Sequence, residues 1–199
     1  MKSQYKILFS DIGGVLLRNG WGHESRKAAA EKFKIDYFKM DILHDFIFNV
    51  WEMGKISIDD YLDTVVFNEK RSFSRKEFKE FMLAQSVQLP RTLPWMIKWK
   101  NKNKNKNIKV ISLNNEPREL NQYRIEKFKL HQFFDAFVSS CEVGMRKPDP
   151  GIFLLAVGIA QAKPEECLYF DDRTMLVESA KKVGIHAYHH KDFESTKKI

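Results

Sequence analysis

The stretch "KILFSDIGGVLL", residues 6–17, decides how the rest of the chain is read. Its first half is an apolar run with Ile7 and Phe9, the composition of a buried strand, and it delivers one aspartate, Asp11, followed by two glycines. A carboxylate at the end of a hydrophobic strand is costly to bury unless a cation meets it, so Asp11 calls for a positive partner. Gly13 and Gly14 let the backbone turn sharply there and come close to an ion or a phosphate.

Outward from this stretch, short runs of the same type recur at 108–113 (IKVISL), 136–140 (AFVSS), 167–171 (CLYFD) and 185–189 (IHAYH). Helical patterns lie at 117–129, 150–161 and 174–183, so the chain from residue 94 alternates β and α. That alternation predicts a parallel sheet covered by helices on both faces. Residues 23–90 differ, because their apolar side chains recur at helical spacing, as in Phe46, Val50 and Met53, or Phe78, Phe81 and Met82. This segment reads as a helical insert after the first strand, with Ser57 and Ser74 as helix N-caps and Asp60 and Glu77 at the capping-box positions. "KNKNKNKN", residues 100–107, reads as a frayed helix end and a solvated loop before the second core strand.

A length of 199 residues permits one domain with a full core, or a main domain carrying a smaller module. With 43% hydrophobic residues and 16 Phe, the chain has the apolar surface to fold, which excludes disorder as the default. The net charge of +8 favours anionic ligands. The lysines are dispersed, many lie in 98–109 and no nucleic-acid-binding motif is present, so nucleic acid is not the expected partner. Cys141 and Cys167 lack metal-ligand spacing and read as free thiols of a reducing compartment. With no apolar segment of membrane-spanning length and an N-terminus that runs straight into a strand, the expectation is a cytoplasmic protein without a membrane partner.

Ligands of an open parallel sheet bind at the carboxyl ends of its strands. The polar residues that end the apolar runs are Asp11, then Ser112, Asn114 and Asn115, then Lys147 and finally Asp171 and Asp172. Three carboxylates at one edge repel one another unless neutralised. Mg²⁺ is a natural neutraliser, taking one or two carboxylates, a backbone carbonyl, waters and a phosphate oxygen. Lys147 supplies the remaining positive charge, orienting Asp11 or gripping a phosphate.

The segments "FSDIGGVLL", "SLNNEPRE", "VGMRKPDPGIF" and "LYFDDRTMLVESAKKVGI" resemble the four ordered motifs of the haloacid dehalogenase-like hydrolase superfamily, and the insert resembles its helical C1 cap. The resemblance covers nearly the whole chain and is nearest to small sugar-phosphatase-type members with a D-x-G-[NG]-V first motif. It implies an α/β fold: a Rossmann-like three-layer core with sheet order 5-4-1-2-3, formed by residues 1–18 and 91–199, with a cap over 19–90. It also implies that Asp11 is a nucleophile forming an aspartyl-phosphate, that Lys147 stabilises nucleophile and developing charge, and that Asn114 takes the place of the family's Ser/Thr, with Ser112 the alternative. Asp11, the Gly13 carbonyl, Asp171 and Asp172 then surround Mg²⁺, and Asn115, Ser112, Gly14 and Arg173 fall on the substrate side.

The family's phosphatases carry a second aspartate two residues after the nucleophile, as acid and base; that position is Gly13 here. Such a group typically contributes roughly 10²–10⁴-fold. The expectation is a phosphatase of small phosphomonoesters, sugar phosphates among them, weakened or suited to leaving groups that need little protonation. A metal-independent dehalogenase, and a phosphate-binding regulatory protein without turnover, stay open as alternatives. His23, just beyond "NGWG", is read as hinge polarity or as a substitute acid, Trp21 as packing between cap and core or as a lid residue, and the molecule as a monomer or homodimer.

Overall fold

The computed structural model describes residues 5–103 and 107–197. Residues 104–106 of the Lys/Asn repeat lie outside them, while Lys100 to Lys102 form the last turn of a helix. Five strands, β1 (Ile7–Ser10), β2 (Lys109–Asn114), β3 (Ala136–Ser139), β4 (Cys167–Asp171) and β5 (His186–His189), make one sheet in the order β3-β2-β1-β4-β5. Every pairing is parallel. Read from its other edge, this is the expected order 5-4-1-2-3.

Successive strand side chains face opposite sides, and β1 shows why that requires two covering layers. Ile7 and Phe9 pack with Ile111, Leu113 and Tyr169 under α8 (Pro150–Ile159) and α9 (Thr174–Lys182). Leu8 points the other way, into Val110, Phe170, Leu130 and Phe133 and the buried Leu93 and Met96 of α5 (Thr92–Lys102). Each fully buried side chain of this size contributes roughly 1.5–3 kcal/mol.

Between β1 and α5 the described residues contain helices and turns: α1 (His23–Phe33), α2 (Tyr37–Glu52), α3 (Ile58–Val65) and α4 (Arg75–Ala84). These helices close on a third apolar cluster of their own, including Trp21, Met40, Trp51, Tyr61, Phe78 and Met82, which Leu120 of α6 (Arg118–Lys127) joins from the sheet side. The two expected capping boxes are present: Ser57 accepts from the Asp60 N–H and Ser74 from the Glu77 N–H, and each acid accepts from the serine N–H in return. α7 (Ser140–Val143) follows β3 directly, and α10 (Phe193–Lys197) follows β5.

Candidate active site

β1 lies at the centre of the sheet and delivers Asp11 to its carboxyl edge, where the Asp11 N–H donates to the Phe170 carbonyl of β4 at 2.9 Å. β4 ends one register step later on Asp171, so adjacent parallel strands bring Asp11, Asp171 and Asp172 together; one oxygen from each lies within 4.8 Å of the others. Gly14 has φ +71°, and a Cβ there would collide with the Asp172 carboxylate, so glycine is a steric requirement of the cluster. Its close neighbour is therefore Asp172, where the sequence predicts substrate.

Lys147 is buried at the same edge. Its ammonium donates to Asp171 Oδ2 at 2.7 Å and to the Tyr169 hydroxyl at 2.8 Å, and lies 3.3 Å from Asp11 Oδ1. Burial alone would pull this ammonium down, but the carboxylates of Asp11 and Asp171 outweigh it and hold Lys147 above the ordinary lysine range. Burial pushes the Asp11 carboxyl up to about 7; Lys147 opposes the rise, and Asp171 and Asp172 add to it. Asp172 is raised likewise, by burial first and by Asp171 second. Its Oδ1 is buried without a hydrogen-bond partner among the described residues. An orphaned carboxylate oxygen beside a carboxyl that resists ionisation is the signature of a site short of positive charge.

Asp171 differs from its neighbours. Its Oδ2 receives Lys147 and the Tyr169 hydroxyl, and its Oδ1 receives the Arg173 N–H at 2.8 Å. Asp171 thus holds Lys147 through Oδ2 while one of its oxygens stays in the cluster with Asp11 and Asp172, beside the place expected for the metal directly or through water. The second motif also needs correction. Asn114 donates to Asn121 Oδ1 at 3.0 Å and accepts from the Ser139 hydroxyl at 3.0 Å, which turns its amide into the core and away from phosphate. Ser112, on the same strand face, is fully buried with an unpartnered hydroxyl and does not line the cavity. Asn115 does line it, but its amide is spent on Lys147, accepting from its N–H at 2.9 Å and donating to its carbonyl at 2.8 Å.

A cavity of about 250 Å³ opens over Asp11 and Lys147. Its floor includes Gly13, Asn115 and Arg173, and its roof includes Trp21, His44, Phe48, Trp51 and Glu52 of the helical segment. Asn19 stands beside Gly13, with its Oδ1 2.6 Å from where a Cβ on residue 13 would be. His23 also lines the cavity, and its Nδ1 faces Arg26 at 3.2 Å; because Arg26 can only donate, this nitrogen must accept.

A family model described as haloacid dehalogenase-like hydrolase matches residues 5–184. The chain belongs to the haloacid dehalogenase-like hydrolases. The hydrolase is 34% identical over 78 residues to the phosphorylated carbohydrates phosphatase of Thermotoga maritima, covering 39% of this chain and 36% of that one. It is 37% identical over 57 residues to bifunctional epoxide hydrolase 2 of Rattus norvegicus, covering 29% of this chain and 10% of that one. These matches thus span well under two thirds of the relatives' length. Among solved structures, the HAD family enzyme BT-2542 of Bacteroides thetaiotaomicron superposes with a TM-score of 0.79 at 24% identity over 93% of each chain. The same enzyme in complex with magnesium and inorganic phosphate gives 0.75, also over 93% of each chain. A dehalogenase superposes at 0.66 with 18% identity, over 93% of this chain and 84% of that one, so the fold alone does not choose the chemistry.

Several residues of the hydrolase's site escape the sequence reading. Tyr169 was within reach, since it precedes Asp171 by two in the same strand and must share its face. Glu52 accepts from Arg146 at 2.8 Å and 3.0 Å, tying the end of α2 to the loop before Lys147, and nothing in the spacing of residues 94 apart announces it. Glu116 lines the cavity and pairs with the buried Arg124, eight residues on in α6.

Proposed function

We propose that the chain is a Mg²⁺-dependent phosphatase of small phosphomonoesters, with Asp11 as nucleophile. The observation that carries this reading is that Asp11 and Lys147 meet at the floor of one cavity with the Asp172 carboxylate, one of whose oxygens has no partner among the described residues, clustered beside Asp11. An Asp11 oxygen attacks phosphorus, the P–O bond to the leaving group breaks, and an aspartyl-phosphate forms; water then attacks phosphorus and regenerates the Asp11 carboxylate. Lys147, held by Asp171 and Tyr169, favours the ionised form of Asp11 against the burial that raises it, and balances the charge that builds on the phosphoryl oxygens. Asp11, Asp172 and the Gly13 carbonyl are the groups that would hold Mg²⁺, which when bound offsets the carboxylate repulsion and draws charge from a phosphoryl oxygen. No titratable side chain stands at position 13, so the leaving oxygen takes its proton from solvent or from another group of the cavity such as His23, or departs as an anion. Residues 19–90 act as the cap that closes over the substrate and excludes water. Buried, unpaired Cys141 and Cys167 support a reducing, cytoplasmic location.

The test is phosphate release from a phosphomonoester panel with Mg²⁺, with EDTA, and with Asp11→Asn. Turnover that needs both the ion and Asp11 supports the reading. Metal-free turnover of a haloacid would assign a dehalogenase instead, and rates equal to those of Asp11→Asn would leave a phosphate-binding protein.

A further inference from the structure

Helix α2 has two faces of opposite fate. Its inner side is spent on the helical segment: Met40 and Trp51 are buried in the apolar cluster there, and His44 Nδ1 lies 2.8 Å from the Tyr61 hydroxyl, which accepts from Trp21 Nε1–H at 2.8 Å. On the outer side Phe38, Ile42 and Phe46 are 79%, 70% and 80% exposed. Steps of four residues keep them on one face, so they make a single apolar ridge about 12 Å long. Exposed apolar side chains are ordinary when they occur singly. Two phenylalanines four-fifths exposed on one ridge, with an isoleucine between them, mark a contact surface.

The charges along the helix select what covers it. Asp41 pairs with Arg26 at 2.7 Å, Glu52 with Arg146 at 2.8 Å, and Lys39 with Glu69. Asp45 is exposed and has no ion pair among the described residues. Lys39 and Asp45 flank the ridge three residues before and three residues after Ile42. A two-fold axis between two copies of Ile42, perpendicular to the helix, runs the two helices antiparallel. It brings Phe38 of one copy level with Phe46 of the other, and Lys39 level with Asp45. A parallel pair would instead set Lys39 level with Lys39 and Asp45 level with Asp45. The ridge is therefore complementary to itself in the order of its side chains and in charge, as an isologous contact requires. A lipid surface suits it less, because interfacial helices flank their apolar face with Lys and Arg, and α2 has one lysine against Asp41, Asp45 and Glu52.

Phe38 and Phe46 together leave roughly 300 Å² of aromatic surface in water. With Ile42 the ridge comes to roughly 400 Å² per copy, and the rim residues Lys39, Asp45 and Val50 carry the two-copy contact past the roughly 1,000 Å² that a specific interface clears. We propose that the outer face of α2 is a homodimer interface in which two copies of the helix pack antiparallel about Ile42.

The test is sedimentation velocity of the full chain at rising concentration, with variants that melt like the parent. The parent is expected to pass from monomer to dimer as its concentration rises through the micromolar range. Ile42→Lys, which sets a charge beside its own copy at the two-fold, is expected to stay monomeric throughout. Leu154→Lys, a like change at an exposed position of α8, is expected to dimerise as the parent does. At low salt, Lys39→Glu or Asp45→Lys alone sets like charges level and weakens the dimer by at least about threefold, and the two together restore it. A parent that stays monomeric, or a dimer that Ile42→Lys leaves intact, overturns the proposal. So does a dimer loosened by either charge change and not regained by the pair. A chain that stays monomeric and instead sediments with vesicles of phosphatidylcholine and phosphatidylserine, in a manner that Ile42→Lys abolishes, gives the face to a lipid surface and overturns the dimer as well.

Discussion

Position 13 is where one atom's worth of space decides what chemistry is available. Gly13 leaves room that Asn19 fills with its carboxamide, 2.6 Å from the position of the missing Cβ. Asp at position 13 therefore does not fit unless Asn19 retreats. We predict that Gly13→Asp alone is impaired, whereas Gly13→Asp with Asn19→Gly gains about tenfold or more in kcat on alkyl phosphates, at or below the low end of what a general acid contributes. The double variant should also acquire a pH limb that the parent lacks; a pH–rate profile without one would show that proton transfer does not limit the parent. Lys147 poses the opposite case, a buried cation that three oxygens converge on. Lys147→Met leaves Asp11 and Asp171 facing each other uncompensated, which should cost about 3–5 kcal/mol in urea unfolding. Adding Asp171→Asn should recover much of that stability without recovering turnover, since Asp11 still lacks its ammonium.

At the scale of elements, what was legible in the sequence is what local physics determines. The strands announce themselves by β-branched and aromatic runs, and Ser57 and Ser74 by the acid three residues on, because both signals come from neighbours in the chain. The order of Asp11, Lys147 and Asp171/Asp172 pointed to one rim, where the fold brings them together, because all parallel strands end at one edge. Asn114 was placed by the resemblance of the second motif, which gives its position but not its partner; Asn121 on α6 and Ser139 on β3 capture the amide, and neither is local to it. The His44–Tyr61–Trp21 chain was invisible for the same reason, since it joins residues on α2, α3 and the loop before α1. It carries a prediction for α2. An unfolded histidine takes up a proton as pH falls through about 6.5, while folded His44 resists protonation until about 3. Stability should therefore drop as the pH falls from 6.5 towards 3, by about 1 kcal/mol between pH 7 and pH 5.5 from this residue alone. Urea melts of His44→Phe at the two pH values should show a smaller loss than the parent by that amount; an identical loss would mean His44 is not held neutral.

For the molecule as a whole, the carboxylate cluster links ligand binding to global stability, because Asp11 reaches it from the central strand and Asp172 from the turn after β4. A cation that binds only when these two segments are folded together must stabilise the whole fold by mass action. At a free Mg²⁺ concentration one hundred times its dissociation constant the gain is about 2.7 kcal/mol, which for a chain of this size raises the midpoint of thermal unfolding by roughly 5–10 °C. EDTA should abolish the shift. Asp172→Asn separates this from any general salt effect, because it removes a carboxylate that burial and Asp171 push towards neutrality. The metal-free variant should thus melt no lower than the metal-free parent and yet fail to respond to Mg²⁺, whereas Asp60→Asn, on the exposed capping box of α3, should lower the baseline slightly and respond in full. A Mg²⁺ shift retained by Asp172→Asn would move the ion away from this cluster, and with it the charge balance on which the proposed chemistry of Asp11 depends.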